Sequence, residues 1–300
     1  MSRIKTRIIG ALFLALTALL TGCTTLRLLY NTGPQLTWWA VDGYFDFNRE
    51  QARAVKHAID EWFDWHRATQ LIEYAALLAS VRQPVMEPTT AAAVCRWEDR
   101  FREQAEPALQ RAIGHFADIV PTLGDAQWRQ MDKRYAKNND ELRKEFLQPD
   151  PAERLRAATK RAVDRAEKIY GSLEEAQLRL IASSMAASPF NAEKLQAERL
   201  RRQHDAQQTL RRLVAERADK EQRVAALRGL VQRAEHAPEP GYRSYQIKLN
   251  EHNCAMMAQL HNATTAAQRH KARDNLKGWE DDLRALRIPQ GPAPGGQPIN

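Results

Sequence analysis

Eight histidines, three cysteines and closely spaced carboxylates are the residues of this 300-residue chain whose types could do chemistry. His57 and Glu61 stand one helical turn apart and could share a ligand face. No second pair of that kind lies near them in sequence, and no His-Glu-x-x-His occurs. His252, His261 and His270 recur at a spacing that turns the middle one away from the other two on a helix. Asp42 with Asp46, and Asp60 with Asp64, are spaced as helix surfaces commonly space acids, and acid–base work would need them buried. His66, between Trp65 and Arg67, reads as a hydrogen-bonded, half-buried residue rather than a base. There is no Gly-rich phosphate loop and no Gly-x-Ser-x-Gly elbow. These patterns predict no catalytic residues, no metal site and no cofactor.

Cys23 is different, because its surroundings specify its chemistry. Arg3, Lys5 and Arg7 form a positive start, and Ile8 to Leu20 an apolar block. As a helix that block rises only about 20 Å, too little for a bilayer core of roughly 30 Å. A charged start, a short apolar segment and a small-residue exit describe a secretory signal. The exit, Leu20-Thr21-Gly22-Cys23, resembles the bacterial lipobox. Leu20, Thr21 and Gly22 would be read by the signal peptidase, and Cys23 would receive the lipid. Thr24 follows where an Asp would signal retention at the inner membrane. The resemblance therefore implies a lipid-anchored protein on the periplasmic face of the outer membrane, held by acyl chains without spanning it.

That address limits the partners. The formal charge is +8, with a pI near 9.5, which in a cytosolic protein would raise nucleic acid as a partner. Outside the inner membrane nucleic acid is excluded, and anionic lipid head groups or acidic polymers replace it. The compartment is oxidising. Cys95 and Cys254, the remaining cysteines, are then either a disulfide closing a loop of about 160 residues or two buried thiols.

The elements that must position these residues read as helices throughout, so an all-α multi-helix bundle is expected. Residues 1–22 are the cleaved signal, 23–188 an N-terminal helical bundle, 189–288 a charged helix plus two C-terminal helices packed on the same domain, and 289–300 a disordered Pro/Gly-rich tail. Leu26 to Phe47 is dense in apolar residues where a polar tether would be usual. It predicts either a short helix in the core or an aromatic surface at the membrane interface. Helices follow from Asn48 to about Pro84, from about Pro88 through Pro107 to Pro121, from Gly124 or Asp125 to about Leu147, from Pro151 to Tyr170, and from Glu174 to Ala187. Asn191 to His236 lacks proline and reads as one long charged helix. Its arginines, among them Arg199, Arg201, Arg202, Arg211 and Arg212, form either a solvated face or a surface for polyanions or client proteins. Two further helices span about Tyr242–His261 and Thr265–Arg287.

One pattern recurs: an apolar or small residue, a capping residue, two spacers and a glutamine. Phe47 to Gln51, Leu123 to Gln127, Leu173 to Gln177 and Thr264 to Gln268 are copies, and Met86 to Thr90 has the shape with Thr90 in place of glutamine. The physics is helix initiation, the glutamine reaching back to the N–H of the cap. The pattern resembles the LTxxQ sequence of Spy-like periplasmic chaperones, which would imply a surface for unfolded clients. A more specific similarity, over residues 23–80, is to a proteobacterial lipoprotein family of unknown function. It rests on Arg27, Leu28, Tyr30, Asn31, Trp39, Asp42, Tyr44, Gln51, Trp65, His66, Arg67 and Tyr74. That resemblance implies a helical, outer-membrane-directed lipoprotein and brings no activity with it. The expectation is a non-enzymatic binding or envelope-maintenance protein, with a client-holding chaperone and an envelope hydrolase as alternatives. Its partners would be the membrane, through the lipid, and unfolded or envelope proteins. The oligomeric state is left open.

Overall fold

The computed structural model describes residues 25–287, and Leu20, Thr21, Gly22, Cys23 and the C-terminal tail lie outside them. The described residues form eleven α-helices and no strand. In chain order they are α1 (Thr25–Asn31), α2 (Gly33–Phe45), α3 (Arg49–Val81), α4 (Ala91–Ile119), α5 (Asp125–Phe146), α6 (Pro151–Tyr170), α7 (Glu175–Ala186), α8 (Ala192–Ala215), α9 (Lys220–Glu235), α10 (Pro240–Asn262) and α11 (Ala266–Arg287).

The two longest helices, α3 and α4, form an antiparallel hairpin that is the spine of the molecule. Gln51 near the start of α3 reaches Thr122 beyond the end of α4, and the Trp62 indole donates to the Ala108 carbonyl midway, at 2.9 Å. One end of the hairpin packs with α2, α5, α8 and α9 into an N-terminal lobe. Its core joins Phe45, Phe47, Val55, Ile113, Trp128, Met131, Leu210, Leu213 and Leu227. The other end packs with α6, α7, α10 and α11 into a C-terminal lobe around Leu71, Ala75, Ile181, Leu260 and Ala272.

The recurring glutamines explain how both lobes close. In each lobe two helix starts face one another and their glutamines meet. Gln177 and Gln268 exchange two side-chain amide bonds, 2.7 and 2.9 Å. Each carbonyl oxygen also accepts from the backbone N–H at its own helix start, Glu174 and Thr265. Each amide nitrogen donates to the loop before the partner helix, Gln177 to Ala263 O and Gln268 to Ser172 O, both 2.9 Å. Gln51 and Gln127 repeat the arrangement with one mutual bond of 3.3 Å, donating to Thr122 O and Asp46 O. All four amides are buried and fully engaged, as buried polar groups must be. The motif is thus a device for joining two helix starts, beyond capping one.

Two boundaries differ from the expectation. Thr90 is the N-cap of α4, accepting from Ala93 N, so the helix starts after it rather than at Pro88. The charged stretch 191–236 is an α8–α9 hairpin and not one helix. α8 ends in a Schellman turn: Arg217 N–H bonds Val214 O and Ala218 N–H bonds Leu213 O. Arg217 adopts φ 50°, a conformation that costs a non-glycine residue about 1–2 kcal/mol. The core offsets that cost, because Ala218 and Leu213 are both buried in it. Asp219 then caps α9, with Gln222 completing the box. Ala218 to Gln222 is a further copy of the recurring pattern, and it was the available signal for this break. α4 runs unbroken through Pro107.

Candidate functional site

The chain's first described helices carry two faces of opposite use. Thr32 keeps a right-handed backbone between α1 and α2, so the two run on with little interruption. Facing outward are Leu28, Leu29, Leu36 and Trp39, each 44–62 % exposed. The other exposed positions of residues 25–40 are Thr25, Asn31, Thr32, Gln35 and Ala40, so this face carries no charge. Facing inward, Trp38, Val41, Tyr44 and Phe45 join the N-terminal core. The core helix and the exposed apolar surface expected as alternatives are two sides of one element.

A latch holds α1 in place. Arg27 Nε donates to Asp282 Oδ1 at 2.7 Å, and that carboxylate is almost fully buried on α11. Arg67 donates to Asn31 Oδ1 and to Leu286 O, with its guanidinium over the Tyr30 ring. The Tyr30 hydroxyl lies 2.9 Å from His66 Nδ1, and Trp62 stacks on the imidazole at 4.5 Å between centroids. Burial pushes the Tyr30 phenol up to about 12 and the His66 imidazole down to about 4. At neutral pH the phenol is protonated and the ring neutral, and the two share one hydrogen bond that ties α1 to α3. Arg27, Tyr30, Asn31, His66, Arg67 and Tyr74, quoted above for the lipoprotein resemblance, converge here. A second Tyr–His pair in the C-terminal lobe repeats the motif. His261 Nε2 faces Glu87 O at 2.8 Å, and its Nδ1 faces the Tyr170 hydroxyl at 2.9 Å.

Behind α2 lies an apolar cleft of about 470 Å³ between α2, α3 and α4. Val41, Phe45, Ile59, Trp62 and Phe116 supply its walls, and Thr37 and His115 are the polar side chains on it. His115 Nε2 is buried without a hydrogen-bond partner. Burial, with the Arg111 charge, lowers the His115 pKa, so the ring is neutral at pH 7. His57 and His115 both approach Glu61, at 3.4 and 3.9 Å. Among the described residues no group of three His, Cys, Asp or Glu side chains is placed to hold a metal.

The remaining residues singled out in the sequence are dispersed. Cys95 on α4 and Cys254 on α10 are joined as a disulfide, with Cα atoms 5.6 Å apart. Arg201 and Arg202 both bind the buried Glu198 carboxylate. Burial would raise its pKa, but the two guanidinium groups outweigh this and hold it low. Arg211 lies over the Trp128 ring, Arg212 is exposed, and Arg199 is half-buried. Of these five arginines, Arg201 and Arg202 share the Glu198 carboxylate and Arg211 packs on an aromatic ring. Sequence reasoning missed the cleft altogether, because its walls come from three helices. The absence of charge between Trp38 and Asp42 on α2 was the only local hint.

An all-helical, two-lobed fold with an uncharged N-terminal face and an apolar cleft behind it defines a helical protein with binding surfaces and no recognisable catalytic constellation among the described residues. The chain belongs to a family of unknown function, DUF6279, which matches residues 43–243. No curated protein and no solved structure matches it.

Proposed function

We propose that the protein is a lipid-anchored, non-enzymatic binding protein of the periplasmic face of the outer membrane, acting in envelope maintenance. One observation carries this reading: Leu28, Leu29, Leu36 and Trp39 form an exposed, uncharged face immediately after Cys23. Lipid on Cys23 would bring that face against the bilayer interface, where tryptophan and aliphatic side chains are favoured. No described helix is long and apolar enough to cross a membrane, so contact at the interface is the mode this surface fits. Replacing Cys23 with Ala tests the anchor. The variant should lose metabolic lipid labelling and accumulate as precursor or leave the membrane fraction, and retained labelling would refute the lipobox. Crosslinking in intact cells then identifies the envelope partner.

A client-holding chaperone is the second reading. It is favoured by scattered exposed apolar side chains such as Phe101, Leu155, Phe190 and Leu200. The recurring glutamines give it no support, since they are spent inside the fold. Unchanged aggregation of several unrelated unfolded proteins in the presence of the purified chain would dismiss it.

A further inference from the structure

We propose that the cleft behind α2 is a binding site for one long acyl chain of a membrane lipid. This rests on the membrane-facing reading of α1–α2. The cleft's chemistry is that of an acyl slot. Its walls are aliphatic and aromatic, with Thr37 and His115 as the polar exceptions. A methylene fills about the volume of one liquid water, roughly 30 Å³. The cleft's 470 Å³ therefore has room for about one chain of ordinary membrane-lipid length. It also lies within the size range of pockets that enclose ligands.

The position of the cleft argues for the bilayer as the source. One helix separates the two apolar surfaces: Leu36 and Trp39 point out from α2, while Val41 and Phe45 line the cleft. A protein seated on its uncharged face would hold the cleft one helix diameter, about 10 Å, behind the membrane contact, within the reach of a lipid tail. The uncovered walls explain why the site should fill, because apolar surface left open to water is unfavourable. The polar end suits an ester rather than a free carboxylate. His115 Nε2 lacks a partner, and the charges around the ring are balanced, Arg111 and Lys220 against Glu61 and Asp118. Its Nε2 is covered by protein and offers the cleft no donor, and no uncompensated cation awaits a carboxylate.

The protein's own lipid is the poorer fit on geometric grounds: from Thr25 to Thr37 the helical rise alone is about 18 Å, which would draw most of the length of one of its acyl chains out of the bilayer.

The test uses the full-length lipidated protein in phosphatidylethanolamine–phosphatidylglycerol vesicles doped with a phosphatidylcholine carrying a diazirine in its acyl chain. Photolysis and peptide mass spectrometry locate the adducts. Adducts on Val41, Ile59 and Phe116 are expected, along with adducts on Leu36 and Trp39. Ala58→Phe, which puts a ring across the cleft, should sharply reduce the first set and leave the second. Ala112→Leu serves if that variant does not fold, judged by its circular dichroism melt. Adducts confined to Leu28–Trp39 would overturn the acyl site while upholding membrane contact. Adducts on neither set would overturn both. Cleft adducts that persist undiminished in both filling variants, or that form only once Cys23→Ala removes the protein's own lipid, would also overturn the assignment.

Discussion

In the N-terminal lobe Gln51 and Gln127 meet beside an apolar cleft. In the C-terminal lobe, which also holds a disulfide and ion pairs to buried carboxylates, Gln177 and Gln268 meet. Both lobes join two capped helix starts through a pair of buried amides. Around that shared device they diverge. The C-terminal lobe ties α4 to α10 through Cys95–Cys254 and α3 to α11 through Arg82 and Glu280 at 3.0 Å. Burial alone would raise the Glu280 carboxyl, but Arg284 and Arg82 outweigh it and hold the pKa low. Beside the N-terminal cleft, α3 and α4 meet through the Trp62–Ala108 bond and the 3.9 Å approach of His115 to Glu61, and among the described residues no disulfide closes the open volume. The comparison teaches that the same closure can hold a tightly fastened end and an end with room for a ligand.

The largest effect that would sharpen this contrast comes from the disulfide. Its removal by Cys95→Ser with Cys254→Ser frees a loop of 159 residues. The loss should approach roughly 5 kcal/mol in the loop-entropy picture. Urea unfolding of oxidised, reduced and mutant protein measures it, and an unfolding curve indifferent to reduction would contradict the proposed role.

Gln177→Leu should cost about 3 kcal/mol or more. It strips bonds from the Glu174 N–H, the Ala263 carbonyl and Gln268, and each buried group left unpaired costs roughly 1–3 kcal/mol. Gln222→Ala, at an exposed box with no partner glutamine, should cost about 1 kcal/mol or less. Equal losses at the two positions would mean that the pairing adds nothing to capping.

Acid provides a comparable effect through the α1 latch. The folded-state pKa of His66 is lowered to about 4 from 6.5, so the unfolded chain takes up the proton first. Stability is complete above pH 6.5 and falls as pH drops towards 4, by roughly 3 kcal/mol in total. His66→Gln should flatten this slope between pH 6.5 and 4. An unchanged slope would assign the acid sensitivity elsewhere, with His261, whose pKa burial also lowers, as the next group to vary.

The smallest effect is the most diagnostic of the cleft. Ala58→Phe places a ring into open volume and should change stability by less than about 1 kcal/mol. Ala272→Phe in the fully buried C-terminal core should cost about 3 kcal/mol. Calorimetric melts of the two variants decide whether the lobes differ as described.

Local patterns in the chain were enough for the helical class, nearly every helix boundary and the capping function of the glutamines. Each of these depends on residues within a turn or two of one another. Arg217 shows the limit of that reasoning. With no glycine or proline there, the Asp219–Gln222 cap was the local signal for the turn between α8 and α9, while burying Ala218 and Leu213 offsets a left-handed arginine, a term that local preference does not contain. The glutamine pairing, the α1 latch and the cleft share this character. Gln177 meets Gln268 across 91 positions, and Arg27 meets Asp282 across 255. The cleft needs α2, α3 and α4 together. Which cap finds a partner, and where apolar walls are left uncovered, depend on how helices pack over those separations, and only the tertiary structure decides them.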